Sequence, residues 1–135
     1  MSSGMSSGDL SRPAPPEIEG YLSKLKSKFS LFGSWAKRYY RLNPETGDLD
    51  YYSDKSSRTA AGTISLANLL RVMRFDETSF QIEAPPHVIL LRAESQAELA
   101  CWLQALEQYL EEKTRFERYT HSKEVEERER RLKGH

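Results

Sequence analysis

The chain has few of the residues that build cross-links or metal sites. Its 135 residues include one cysteine, Cys101, and three histidines. A single cysteine excludes an intramolecular disulfide and a zinc site of the usual several-cysteine kind, and it favours a reducing compartment. His87, His121 and His135 have no partner at metal-ligand spacing, so we predict neither a metal nor another cofactor. Cys101 lies beside an apolar helical stripe, and we expect it to be buried or half-buried.

Long apolar runs and catalytic motifs are also missing. No stretch approaches the roughly 18 apolar residues of a membrane span, and the N-terminus has no apolar signal-peptide core. The chain contains no glycine-rich phosphate loop, no Gly-x-Ser-x-Gly and no His-Glu-x-x-His. These absences predict a non-catalytic, cytoplasmic protein.

Acidic residues are missing from one segment, although the whole chain is neutral. Twenty Lys and Arg balance twenty Asp and Glu, so attraction to a polyanion must come from local clustering. Residues 21–42 carry six basic residues and no Asp or Glu. A solvated hairpin with edge-protecting lysines is the ordinary explanation, but the lack of any acidic partner favours an anion-binding surface. The balanced charge elsewhere argues against nucleic-acid binding.

The residue composition of the chain changes at Ile18. Residues 1–17 are rich in Ser, Gly and Pro and repeat MSSG, which predicts a disordered leader resembling an expression-vector sequence. Short β-favouring segments bounded by turn signals follow, which predicts a sandwich or barrel. The predicted strands are 18–24, 35–42, 49–54, 62–66, 69–75, 79–84 and 87–93.

The period of the apolar residues changes from two to 3.6 after the last predicted strand. Ser95 and Glu98 form a capping-box pattern at a helix start. An apolar stripe follows at helical spacing and predicts an amphipathic helix of at least four turns. Residues 113–135 are highly charged, and we leave open a helical extension or a disordered tail. The stripe consists of Leu99, Trp102, Leu103, Leu106 and Leu110.

These motifs together resemble a pleckstrin homology (PH) domain over residues 18–112. The resemblance rests on Gly-x-Leu-x-Lys in the first strand, Trp-x-x-Arg-Tyr-Tyr-x-Leu in the second, LDYYSD, GTISL and the helical tryptophan. It implies a mainly β fold, a bent seven-stranded antiparallel sheet or barrel capped by one C-terminal helix. The segment that ends in the helix is also similar to PH domains preceding Rab GTPase-activating domains. The residues involved are Gly20, Leu22, Lys24, Trp35, Arg38, Tyr39, Tyr40, Leu42 and Trp102.

Strand parity divides the six basic residues. Lys24 and Arg38 share the inward parity, and in an antiparallel hairpin they converge on the end of the barrel that the helix does not close. The resemblance implies that this end binds a phosphoinositide headgroup. Ala36 and Ala61 stand where strong binders of the family have basic residues, which predicts weak binding. The candidate headgroup-binding set is Lys24, Arg38, Lys26, Lys28, Lys37 and Arg58, although Lys37 has the outward parity.

The loop between the first two strands offers a second mechanism. Lys26 and Lys28 stand beside three apolar residues, Phe29, Leu31 and Phe32. An exposed mixture of cationic and apolar side chains can dock on an anionic leaflet. We predict a membrane-docking tip here, with folding of the apolar residues onto the barrel rim as the alternative.

Two functions remain compatible with these features. The first is an adaptor that binds phosphoinositides weakly and recruits a larger signalling or trafficking protein to the cytoplasmic surface of a membrane. The second is a protein-interaction module, for example for a small GTPase, that uses the outer sheet face or the long helix and has little or no affinity for lipid. In either case we expect this fragment to be monomeric.

Overall fold

The computed structural model describes residues 12–26 and 34–133. Within these residues the chain forms seven strands followed by one long helix. The predicted leader lies mostly outside the described residues, and its described part, 12–17, has no regular secondary structure. The strands are β1 (Glu19–Leu25), β2 (Trp35–Leu42), β3 (Leu49–Tyr52), β4 (Gly62–Ile64), β5 (Arg71–Arg74), β6 (Ser79–Ala84) and β7 (His87–Ala93), and the helix is α1 (Gln96–Lys133).

All neighbouring strands pair antiparallel in one sheet, in the order β4-β3-β2-β1-β7-β6-β5. No pairing joins β4 to β5 among the described residues, so the sheet does not close into a barrel. The predicted seven-stranded antiparallel sheet with a C-terminal helix is confirmed. Strand β1 lies at the centre of the sheet, with β2 on one side and β7 on the other.

The first part of α1 supplies the core residues that cover one face of the sheet. Ser95 begins the helix, and its Oγ accepts a hydrogen bond from the Glu98 N–H at 3.1 Å. Trp102 is 2% exposed and packs beside Gly20, where an added Cβ would lie 3.7 Å from the indole Nε1. The predicted stripe is confirmed, with Tyr109 as an additional buried member. Inward side chains of the strands complete the core: Leu22, Tyr40, Leu42, Leu49, Ile64, Val72, Phe80, Ile82, Ile89 and Leu91.

The prediction that Cys101 is buried or half-buried was wrong. Cys101 is exposed, because it lies two residues after Leu99, about 200° around the helix from the buried stripe. The adjacent Trp102 is buried only because one further residue rotates the side chain back toward the sheet.

Three strands are shorter than the sequence predicted. Strand β4 ends at Ile64 because the Leu66 N–H donates to the Asp48 carboxylate at 2.9 Å and leaves the ladder. At the end of β5 the Phe75 N–H donates to the Ser79 carbonyl oxygen at 2.9 Å, which closes the turn into β6. Leu70 and Phe75 were placed in the fifth strand by their apolar character, but both lie outside it and are exposed.

The helix continues without a break to Lys133. Residues 14–110 and the helix from Glu111 onward belong to separate compact units. In the second unit, Arg115 pairs with Glu111 at 3.0 Å and Arg130 with Glu126 at 3.7 Å, both one helical turn apart. Residues 113–133 are therefore helical, supported by pairs worth a few tenths of a kcal/mol each.

We predict that Leu106→Ala lowers the free energy of unfolding by about 2–5 kcal/mol, because Leu106 is fully buried and the substitution leaves a cavity. Urea unfolding followed by tryptophan fluorescence measures this. The exposed neighbour provides the control: Glu107→Ala should change stability by less than about 0.5 kcal/mol. Equal effects of the two substitutions would contradict the assignment of the helix face.

Candidate functional site

The register of the β1–β2 hairpin brings two basic residues onto one face of the sheet. Leu22 pairs with Arg38, and Lys24 pairs with Ala36. Lys24 and Arg38 are therefore diagonal neighbours, within reach of each other for long side chains. Both are half-buried, on the same face as the buried Leu22. This arrangement agrees with the inward parity expected from the sequence.

Lys24 lies near the end of β1, and Arg38 lies four residues into β2 on the same face. We call the end of the sheet where β1 ends and β2 begins the mouth. The Lys26 N–H donates to the Ser34 carbonyl oxygen at 2.8 Å and continues the hairpin beyond the strands. On the other side of β1, Lys24 pairs with Leu91 of β7. Lys24 thus stands between Ala36 and Leu91, and neither direct cross-strand neighbour can neutralise its ammonium group.

The basic residues on the outer face of the hairpin have acidic partners. Lys37 Nζ lies 2.6 Å from Glu94 Oε2 and 4.9 Å from the centre of the Tyr21 ring. The hydrogen bond to Glu94 and its negative charge raise the pKa of Lys37. Arg41 Nε lies 3.9 Å from Glu19 Oε1. Lys37, included in the predicted headgroup set, is therefore on the face opposite Lys24 and Arg38.

The basic residues of the mouth have no such partners. Across residues 12–26 and 34–133, no carboxylate lies within 4.0 Å of the cationic group of Lys24, Lys26 or Arg38. Arg38 Nη1 donates instead to the Lys37 carbonyl oxygen at 2.8 Å. The two faces of one hairpin therefore differ: the outer cations are paired with Glu, whereas the inner ones are available to an anion from outside.

Arg58 lies in the loop between β3 and β4 and is exposed. This loop is held by its own contacts: Ser56 Oγ donates to Asp54 at 2.6 Å, which lowers the pKa of Asp54, and the Lys55 N–H donates to the Tyr21 hydroxyl at 3.0 Å. Tyr21 belongs to the outer face of β1, so this contact draws the loop toward that face. Among the described contacts, none brings Arg58 to Lys24 or Arg38.

The predicted membrane-docking tip, Phe29, Leu31 and Phe32, lies outside the described residues, as does Lys28. Sequence reasoning missed two other apolar residues at the same end of the sheet, Leu70 and Val88. They are 60% and 48% exposed. Val88 is near the start of β7, which lies beside the end of β1 because the two strands are antiparallel. Leu70 follows Asn68, whose side chain donates to the Pro85 carbonyl oxygen at 3.4 Å in the turn before β7. Little in the sequence indicated that these two residues are exposed, because both lie in apolar runs typical of buried strands.

Comparison with known proteins identifies the family. A family model described as the PH domain matches residues 16–111. The chain belongs to the PH domain family. It is 28% identical over 109 residues to TBC1 domain family member 2B of Xenopus tropicalis, a match that covers 79% of this chain and 12% of that protein. The chain spans 10–21% of the curated relatives it matches.

Solved structures agree with this assignment. The human TBC1 domain family member 2 PH domain superposes with a TM-score of 0.59 at 25% identity, covering 87% of this chain and 91% of that one. The PH domain of human oxysterol binding protein-related protein 11 gives a TM-score of 0.58 at 28% identity, covering 81% and 85%. The predicted PH resemblance, including its similarity to PH domains of TBC1 proteins, is confirmed.

The floor of the mouth in this PH domain contains a buried phenol. Tyr40 is 1% exposed, follows Arg38 on the same face of β2, and lies 5.6 Å from the Tyr51 ring centre. Burial, reinforced by Tyr51, raises the pKa of Tyr40 to about 12, although the Arg38 charge acts in the opposite direction. Like an unperturbed tyrosine, this phenol is neutral at physiological pH, so it does not compensate the charge of Arg38.

The part of the PH domain that the structure describes shows no cluster of three His, Cys, Asp or Glu side chains suited to a metal ion. Within the same residues, no helix is long and apolar enough to cross a membrane.

We predict that stability decreases as the pH rises from about 10 to about 12. A phenol whose pKa is higher in the folded state binds its proton more tightly there, so its contribution is complete below pH 10 and is lost at higher pH. Urea unfolding should show that Tyr40→Phe removes a dependence of up to about 1.4 kcal/mol per pH unit. Parallel pH profiles of the two proteins would contradict the raised pKa.

Proposed function

We propose that this PH domain binds phosphoinositide headgroups weakly at the mouth and so brings a larger protein to an anionic membrane surface. The observation that carries the proposal is the contrast between the two faces of the hairpin. Lys37 and Arg41 lie beside carboxylates, whereas Lys24, Lys26 and Arg38 do not. Lipid phosphates provide the missing anions, and bonds between phosphate oxygens and charged donors are stronger than neutral ones.

The expected affinity is low because a donor is missing at the centre of the site. Ala36 lies directly opposite Lys24, where a longer basic side chain would reach the same phosphate. Hydrogen bonds to charged groups contribute about 1.5–3 kcal/mol each. Ala61 leaves a second position of the family's binding signature without a donor. Two such losses favour weak binding with little discrimination among phosphoinositides.

Apolar side chains around the mouth support a peripheral mode of membrane attachment. Leu70 and Val88 are exposed at this end of the sheet, and the predicted docking tip at Phe29, Leu31 and Phe32 belongs to the loop that leaves β1. Lys26 and Lys28 would add about 1 kcal/mol each near an anionic leaflet. Shallow insertion and electrostatic attraction then compensate for weak headgroup recognition.

The domain acts in this proposal as a non-catalytic adaptor. Its similarity to TBC1 domain proteins favours a parent protein with a role in membrane trafficking. A second candidate function, protein interaction with little lipid binding, is favoured by Ala36 and Ala61, which weaken the headgroup site. Lipid measurements distinguish the two functions.

We predict that Lys24→Ala combined with Arg38→Ala abolishes salt-sensitive binding to phosphoinositide liposomes, because it removes both half-buried cations of the mouth. Co-sedimentation at low and high ionic strength measures this, since screening weakens charge interactions at a surface. The matched control is Lys37→Ala combined with Arg41→Ala, which removes the same residue types from the outer face of the same hairpin and should bind nearly as the unmodified domain does.

An equal loss of liposome binding in the two double variants would show that the overall charge of the hairpin, rather than the mouth, attracts the membrane. Equal partition of the unmodified domain to neutral and phosphoinositide liposomes would favour the protein-interaction function instead.

We predict that Ala36→Lys strengthens binding of a soluble inositol polyphosphate by roughly 10- to 100-fold, because it supplies the missing donor opposite Lys24. Isothermal titration calorimetry measures the change. Gln81→Lys adds the same charge on the outer face of β6 and should leave the affinity nearly unchanged. A similar gain from both substitutions would place binding outside the mouth.

A further inference from the structure

A groove lies at the end of the domain opposite the mouth, between the segment that leads into β1 and the first turns of α1. Its volume is about 580 Å³, within the range of sites that bury a small ligand or a few side chains. Ile18 and Ala105 contribute apolar surface above the buried Trp102, and Glu17, Glu19 and Glu98 contribute carboxylates. We call this feature the acidic groove.

The lining of the groove carries negative charge and no basic residue, although the charge of Lys37, outside the lining, interacts with Glu98. None of the described lining residues is Lys or Arg, against three Glu. Glu19 accepts a hydrogen bond from the Tyr39 hydroxyl and lies 3.9 Å from Arg41, so part of its charge is compensated. Among the described residues, Glu17 and Glu98 have no basic side chain within ion-pair distance.

The position of the groove separates it from the proposed lipid site. Glu19 begins β1 and Lys24 is five residues further along the same strand, a distance of about 17 Å. Strand β7 ends at Ala93, opposite Leu22 of β1, and the chain continues toward the start of β1 before α1 begins at Gln96. A membrane bound at the mouth would therefore leave the acidic groove facing away from the lipid.

The chemistry of the lining selects one class of occupant. An anionic membrane would be repelled by the three carboxylates, and the described residues contain no cluster suited to a metal ion. An apolar floor with carboxylates around it is complementary to a side chain such as leucine flanked by arginine or lysine. We propose that the acidic groove binds a basic, apolar segment of a partner protein, and that this site is independent of the headgroup site.

Cys101 provides a direct test, because it is exposed, lines the groove and is the chain's one cysteine. The rate of alkylation by N-ethylmaleimide would be followed by mass spectrometry in the presence of a peptide of alternating arginine and leucine. Binding should slow alkylation saturably, by about tenfold when the peptide is present near ten times its Kd. A peptide with glutamate in place of arginine, and one with serine in place of leucine, should protect far less.

Charge-reversal variants locate the binding. Glu17→Lys combined with Glu98→Lys should weaken protection by at least about tenfold, since it replaces attraction by repulsion. The matched control, Glu45→Lys combined with Glu107→Lys, makes the same charge change at exposed positions outside the groove and should retain protection. The Lys24→Ala, Arg38→Ala variant should also retain it, which separates this proposal from the lipid proposal.

Three results would overturn the proposal. One is an alkylation rate that no peptide changes, and another is equal protection by the arginine and glutamate peptides. The third is protection that increases with protein concentration in the absence of peptide, because the occupant would then be a second copy of this chain.

Discussion

The antiparallel pairing of β1 with β2 is the constraint on which the other features of this domain depend. Because the pair of Leu22 and Arg38 lies on the inner face, a shift of β2 by one residue would move Arg38 to the outer face and Lys37 to the inner face. Leu42 of β2 is buried in the core, so that shift would expose a leucine and turn a lysine toward the core. The same apolar burial that stabilises the sheet therefore fixes which basic residues face the mouth.

Much of the fold could be predicted from local sequence patterns. Strands β2, β6 and β7 have the predicted ends, because turn-forming residues such as Asn43 and the Pro85-Pro86 pair interrupt the alternation directly beside them. Strands β4 and β5 were predicted too long, because their ends are set by long-range contacts. The Asp48 carboxylate that accepts the Leu66 N–H is 18 positions away in the chain. No local pattern reports such a contact.

The candidate site could also be predicted only in part. Parity assigned Lys24 and Arg38 to one face and Lys37 to the other, since alternation is a local property of a strand. The pairing of Lys37 with Glu94 and the acidic groove could not be predicted, because each joins segments more than 50 residues apart. Lys37 and Glu94 meet because β1 pairs with both β2 and β7, and the groove forms where α1 packs beside the segment that leads into β1. The exposure of Leu70 and Val88 was hidden for another reason. An apolar run indicates that most of its residues are buried, but Leu70 and Val88 lie at the ends of their runs and are exposed.

The separation of charge along β1 gives the domain an electric dipole although the chain carries no net charge. Unpaired cations gather at the end of the strand and carboxylates at its beginning. In the membrane attachment proposed above, the field of an anionic leaflet would exert a torque that turns the mouth toward the lipid before contact, within roughly one Debye length of about 8–10 Å. Under the proposed lipid function, this distribution would orient the domain at a membrane without the net positive charge that causes indiscriminate adhesion to polyanions.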